Sequence, residues 1–445
     1  MSIQKQTCDL IIQNCSILTK DYTILENQSI AICKGKIVAI EDAFTLAHTY
    51  TASSIRDGAH KLYMPGLVDA HMHTNQQLLR GRIMDELPMI WTRIMLPYES
   101  SLTSDTVELS AQLAALEMIK SGTTAFADAG GSFMDTAAKV YLQSGLRGVL
   151  TYSTIDQGNV PDTMKTSTKE ATRRIKALYD AYHLKNDGLL QVFFSLRSIL
   201  SCSPELIQET FGIASELDTG VHAHMNEYGN EVNYCLEHFK MRPLEYLESL
   251  GVLGSHFLSA HSLMLSEAEK SILAQYNIKV AHCPFSNCGK AVPPTPSLLE
   301  KGITVALGTD GTAHGGMSLW NEMKIFRSVM NVTHGIQTSN PVIMPAKTLL
   351  HMATQGGSEA IKQSHHTGQL TVGYKADLIG INIDQPHLYP THNLVNTLVE
   401  SVNANDVVDM IVNGKFIMKD RHVLTLDEER ILYHAKKYFS VLNSS

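Results

Sequence analysis

Residues 65–73 read Pro-Gly-Leu-Val-Asp-Ala-His-Met-His, a short apolar run that ends in two histidines one residue apart. Alternation along a strand puts His71 and His73 on one side of the pleat, where both rings can hold the same ion. The same texture recurs. Eight apolar runs, Gly66–Ala70, Thr123–Ala127, Leu146–Tyr152, Leu190–Leu196, Gly220–Ala223, His256–Ala260, Ile278–Ala281 and Ile303–Leu307, each precede polar residues and then a helical pattern. Helix-like stretches at Ser104–Lys120, Lys165–His183, Pro204–Leu217 and Glu267–Tyr276 repeat apolar positions at spacings of three and four. From His71 to Asp310 the seven units average about 34 residues, the scale of a βα repeat. The spacing predicts an α/β fold: a (β/α)8 TIM barrel over residues 63–367.

The residues that follow the runs carry the chemistry. His71 and His73 follow the first, Asp128 the second and Arg197 the fourth. His222, His224 and Glu227 belong to the fifth, His261 to the sixth, His282 to the seventh and Asp310 to the eighth. C-terminal strand ends converge on one face of a barrel, so these scattered residues become one cluster. Alone, a His-x-His pair says little, and Asp310 could simply cap a helix. Together, His71, His73, His224 and Asp310 form a three-histidine, one-aspartate set with Glu227 nearby. Such a set suits a catalytic metal that keeps one position for water.

The chain ends differ from this middle. Asp9–Leu18, Gln28–Cys33 and Lys36–Ile40 at one end, and Ala376–Ile383, Val407–Val412 and Lys415–Met418 at the other, are short β-type runs. Lys34-Gly35 and Asn413-Gly414 supply hairpin turns. Residues 1–62 and 368–445 are therefore expected to build one small β-sandwich domain, with an amphipathic helix over Asp427–Leu442 outside its sheet. An apolar fraction of 44% and a charged fraction of 18% exclude wholesale disorder. A net charge of −8 argues against nucleic-acid or anionic-membrane partners. No apolar run approaches the length of a membrane span, and the N-terminus lacks a signal-peptide pattern. Seven scattered cysteines without a CxxC pair read as a reduced, cytoplasmic protein.

The segments PGLVDAHMH (65–73), HAHMNE (222–227), SAH (259–261), AHCPFSN (281–287) and ALGTDG (306–311) resemble the amidohydrolase superfamily. Within it they are similar to the deaminase branch, with its methylthioadenosine/S-adenosylhomocysteine deaminases, guanine deaminases and triazine hydrolases. The resemblance implies that His71, His73, His224 and Asp310 ligate one divalent metal per chain, zinc in the first place and otherwise iron. It also implies that Glu227 and His261 flank the reacting water. A divalent metal lowers the pKa of its water from 15.7 to about 7. Asp310 then takes a proton, Glu227 protonates a ring nitrogen so that ammonia can leave, and His261 holds the oxygen by hydrogen bond. His222 is assigned a structural role and His282 a supporting one. Binuclear relatives bridge two metals with a carboxylated lysine at the end of strand four. Residues 190–200 contain no lysine, and Arg197 stands there instead, which favours a single metal.

Arg197 in RSILSCS (197–203) and Gln76 are similar to the guanine-deaminase pattern, and Gln76 also to triazine hydrolases. Such donors suit a lactam-bearing ring. Residues 78–103 and SGLRGV (144–149) instead resemble the methylthioadenosine/S-adenosylhomocysteine group, in which the arginine matching Arg147 contacts the ligand's tail. Trp91 is placed to stack on a base, His314 to touch substrate, and Met84, Met89 and Met95 read as core packing. The expectation is a mononuclear hydrolytic deaminase of an amino-substituted N-heterocycle, either an adenosine derivative or a guanine- or pterin-like ring. A triazine-type hydrolase that displaces chloride or an alkylamine is the second reading, and a non-catalytic scaffold the third. A small-molecule substrate and a homo-oligomer, dimeric or larger, are implied as well.

Overall fold

Each of the eight apolar runs carries a parallel strand in the computed structural model, which describes residues 5–86 and 90–442. Met89, and the outermost residues 1–4 and 443–445 of the expected terminal domain, lie outside the described residues. Leu67–Met72, Thr123–Asp128, Arg147–Leu150 and Leu190–Val192 form one sheet. Phe194–Leu196, Val221–Met225, Phe257–His261, Lys279–His282 and Val305–Leu307 form a second. These strands are buried along almost their whole length, and an unbroken apolar run is the sequence form of a strand covered on both faces.

The two parallel sheets meet inside one run, since only Phe193 separates Leu190–Val192 from Phe194–Leu196. At their other edges Met72 bridges Asp310 in parallel. There the amides of Thr309 and Asp310 both donate to the His71 carbonyl oxygen, at 3.0 and 2.9 Å. The helices Ser104–Ser121, Thr168–Tyr182, Pro204–Glu216 and Glu267–Gln275 occupy the stretches with helical spacing. Ser167, Ser203 and Ser266 cap three of them, each hydroxyl accepting a first-turn amide that has no partner within the helix.

Strands from both chain ends share a third, nine-stranded sheet. Its longest member, Gln6–Leu18, pairs antiparallel with Ile24–Cys33 and parallel with Tyr50–Asp57 and Lys61–Pro65. Leu378–Asn382 then joins the C-terminal strands to Lys61–Pro65. Val407–Val412 and Lys415–Lys419 turn through Asn413 and Gly414, whose φ values of 50° and 74° are both positive, as a type I′ hairpin requires. Leu10, Ile12, Ile30, Ile32, Leu378 and Ile411 pack into one core on this sheet. The C-terminal helix, Glu428–Leu442, lies against Ser104–Ser121 rather than in the sheet.

Arg147 joins the two parts of the molecule, which corrects the expectation that it contacts a substrate tail. It opens its strand, level with Ala125 and so well before the strand ends that carry the histidines. Its Nε donates to Asp377 Oδ2 at 2.5 Å, Nη1 to the Gly188 carbonyl at 2.9 Å and Nη2 to Asn413 Oδ1 at 3.0 Å. Both charged side chains are buried, and a buried charge is tolerable only while it is paired. Arg147→Ala strands the Asp377 carboxylate and is expected to lower the unfolding free energy by about 3–5 kcal/mol. Urea denaturation measures this, and a variant as stable as the wild type would remove the anchoring role.

Candidate active site

Four donor groups converge at the strand ends. The Nε2 atoms of His73 and His224 lie 3.2 Å apart, and Asp310 Oδ1 lies 3.6 Å from His71 Nε2 and 3.4 Å from His73 Nε2. One nitrogen from each of His71, His73 and His224 falls within 4.8 Å of the others, as do ligand atoms of His71, His261 and Asp310. All of these side chains are buried. Burial holds His71 below its ordinary pKa, and burial together with the neighbouring imidazoles holds His224 well below it. Burial opposes the charge of Asp310 too, but His314 and Lys290 outweigh it and help to hold the carboxyl well below the usual range.

The surrounding contacts orient these groups. His222 Nε2 lies 2.9 Å from His71 Nδ1. With the Nδ1 proton shared there, His71 Nε2 presents a bare lone pair to the cluster, where no protein group meets it. Two neutral imidazole nitrogens that face each other beside a carboxylate must share either a proton or a cation, and the unmet lone pair of His71 beside them favours the cation. Nitrogen and oxygen donors in this number, with the remaining side left open, fit a mononuclear divalent metal. Asp69 supports the cluster from behind, its Oδ2 accepting the Thr309 hydroxyl at 2.6 Å and its Oδ1 the amides of Thr309 and His71. Burial pushes the Asp69 carboxyl up to about 7. His282 lies outside the cluster, its Nδ1 2.9 Å from the Thr295 hydroxyl, with burial holding its pKa down at about 3. Asp128 binds no ligand in this arrangement either: it accepts the Gly130 amide at 2.7 Å and the Thr74 hydroxyl, which fixes the turn after His73.

Glu227 and His261 stand beside the cluster, 3.6 Å apart. The tautomer of His261 follows from its neighbour. Asn287 Oδ1 accepts the Cys283 amide at 2.8 Å, so its Nδ2 must be the group that meets His261 Nδ1 at 3.0 Å. An amide N–H donated to Nδ1 leaves the ring proton on Nε2, which faces Glu227 and has no other partner. Lys290 donates to Glu227 Oε1 at 2.6 Å and to Ser286 Oγ at 2.7 Å, and it lies 3.3 Å from Asp310 Oδ2. Ser286 in turn donates to Asp310 Oδ2 at 2.5 Å.

A cavity opens in front of these groups, lined by His73, Gln76, Trp91, Arg197, Glu227 and His314 among others. Gln76, Trp91, Arg197 and His314 therefore come together with the cluster, whereas Arg147 does not. Trp91 opens a π-helical turn, Trp91–Met95, and Met95 packs beneath it against Leu79, Ile83 and Ala313. Glu99, which sequence reasoning missed, accepts Gln76 Nε2 at 3.1 Å and Arg197 Nη2 at 3.1 Å. Arg197 Nη1 and Gln76 Oε1 remain buried without protein partners. Glu231 and Lys290 were missed as well. Lys290 lay three residues beyond a quoted motif, and no local pattern marks the other two.

The amidohydrolase family pattern matches residues 62–417, and the chain belongs to that family. It is 33% identical over 441 residues to the 5-methylthioadenosine/S-adenosylhomocysteine deaminase of Thermoanaerobacter pseudethanolicus, covering 96% of this chain and 98% of that one. It is 34% identical over 435 residues to the 5′-deoxyadenosine deaminase of Methanosarcina barkeri, covering 96% and 97%. The crystal structure of an adenosine deaminase from Xanthomonas campestris with bound zinc superposes with a TM-score of 0.93 at 26% identity, over 99% of this chain and all of that one.

The donor set makes a direct prediction. Purified protein should carry about one tightly held divalent ion per chain, and His73→Ala should lose most of it. Atomic absorption decides this, and a metal-free protein that takes up neither zinc nor iron would sink the site.

Proposed function

We propose that this chain is a mononuclear metal-dependent hydrolase that deaminates an adenosine derivative. The observation that carries the reading is the meeting of His71, His73, His224 and Asp310 with Glu227 and His261 at the base of one cavity. Those four residues would hold the ion; the donor set accepts zinc or iron, and the zinc bound in the similar adenosine deaminase structure supports zinc first. When bound, a divalent metal supplies a Lewis acid that makes water a competent nucleophile at neutral pH.

The chain's own groups then move the protons. Glu227 takes one proton of the water and delivers it to the ring nitrogen beside the amino-bearing carbon, which draws electrons away from that carbon as the water oxygen adds. Asp310 takes the second proton and passes it to the amino group, which leaves as ammonia. His261 donates its Nε2 proton as a hydrogen bond to the oxygen as charge develops there. The water oxygen ends as the ring carbonyl, and the proton delivered by Glu227 stays on the ring nitrogen, so the product is a lactam.

The walls support an adenosine-type substrate. Trp91 offers a face for stacking, while Arg197 Nη1 and Gln76 Oε1 offer one unspent donor and one unspent acceptor. A second cavity of about 550 Å³ is lined by Glu99, the partner of Arg197 and Gln76, together with Phe133, Tyr152, Met164 and Arg173. That space suits a nucleoside that carries a further substituent, and both curated relatives are named for adenosines modified at the 5′ position. In the same reading the parallel strands close into a (β/α)8 barrel over residues 63–367, and residues 1–62 and 368–445 form a β-sandwich around the core of their shared sheet. The seven cysteines are unpaired, which supports a reducing, cytoplasmic setting.

Ammonia release from 5′-substituted adenosines, adenosine, guanine, pterins, cytosine and triazines tests the substrate class. The 5′-substituted adenosines should give the highest kcat/KM, and release from guanine or a triazine with none from any adenosine would overturn the reading. Glu227→Gln should keep its metal and lose turnover by about a hundredfold to ten-thousandfold. Full activity in that variant would remove Glu227 from the proton path.

A further inference from the structure

Lys290 follows the short helix Pro284–Cys288 and carries its ammonium to the catalytic wall, where the side chain is only 5% exposed. Its three N–H groups are spent on Glu227 Oε1 at 2.6 Å, Ser286 Oγ at 2.7 Å and Asp310 Oδ2 at 3.3 Å. The Tyr228 ring covers the same nitrogen at 5.4 Å. No donor is left over for substrate or solvent. Burying an ammonium is costly unless it is paired, and here its partners are the two carboxylates that handle protons.

Glu227 needs such a partner. Its backbone amide is held by Glu231 Oε2 at 3.1 Å, but this fixes only the root of the side chain. The flexible arm beyond it ends beside three convergent histidines and Asp310. A loose carboxylate there is attracted to any cation they hold, and as an extra ligand it would leave the substrate ring and fill the position meant for water.

We propose that Lys290 is a positioning residue, clamping the Glu227 carboxylate to the cavity wall beside Asp310 and keeping it out of the ligand set. The proposal rests on the reading in which Glu227 carries the proton. Lys290 contributes no ligand atom and touches no substrate; it acts through Glu227.

Zinc-loaded crystals of the wild type and of Lys290→Met, grown without substrate, test the clamp by itself. The wild type should keep the bond from Nζ to Glu227 Oε1. In the Met variant the Glu227 carboxylate should leave that position, while zinc stays at about one ion per chain. An unmoved Glu227 overturns the clamp, whatever the wild type turns over. Kinetics give the second arm. Lys290→Met should lower kcat by about 10–100-fold with KM within about twofold, and Lys290→Arg should restore most of the loss. An unchanged kcat, or a loss that arginine does not rescue, overturns the proposal. Should the Met variant not fold, Lys290→Gln takes its place in both arms with the same expected results. A wild type that releases no ammonia from any substrate of the panel sinks the deaminase reading, and the crystals still decide the clamp.

Discussion

Three imidazole nitrogens and a carboxylate oxygen face one another at one end of a cavity, and the surrounding contacts are arranged to keep them there. Left in water, these histidines would carry protons part of the time. Burial removes that option from His71 and His224, and Lys290 and His314 keep Asp310 ionised. The outcome is a cage of lone pairs that holds a cation better than it holds itself. Two of the donors have a support of their own, His222 for His71 and Ser286 for Asp310, and Asn287 holds the neighbouring His261. Asp69 ties the first parallel strand to the turn after the last one through Thr309, so these two strands cannot drift apart without disturbing the cluster.

The parallel strands were legible because each is short, apolar and buried on both sides, and the convergence of His71, His73, His224 and Asp310 because each stands where its run ends. The family resemblance, which needs a histidine three residues before the glutamate, singled out His224, and His222 lies against His71. Contacts across the sequence were not legible. Glu99 and Arg197 are 98 residues apart, and Lys290 reaches Glu227 across 63; neither pair leaves a periodic trace. Arg147 was misread for a related reason. Similarity of a motif says that an arginine is present, whereas strand register decides which end of the sheet it serves, and its pairing level with Ala125 puts it at the wrong end for substrate.

That separation of ends is itself informative. Asp377 and Asn413, from the C-terminal part of the chain, hold Arg147 at the start of its strand. Arg56 near the N-terminus meets Asp409 and Asp420, with Tyr63 donating to Asp409 as well. The sheet built from both chain ends is thus stapled by buried ions, and it braces the end of the parallel strands that carries no chemistry. Stability is concentrated at the starts of the strands and reactivity at their finishes.

Each cation of the catalytic wall is already committed to a carboxylate, and this bears on what the cavity accepts. Lys290 is shared by Glu227 and Asp310, and Arg197 is committed on one side to Glu99. Neither cation stands uncommitted to draw in an anionic ring. What remains open is one guanidinium donor, one amide acceptor and an aromatic face, which together suit an uncharged heterocycle. Charge appears only as the reaction proceeds, when the ring nitrogen takes its proton and the oxygen gains density. In the proposed reaction Glu227 and the Nε2 proton of His261 would meet it, and these two groups contact Lys290 and Asn287. A site that offers little to a charged ground state and ready partners to a polar transition state directs its binding energy to the chemical step.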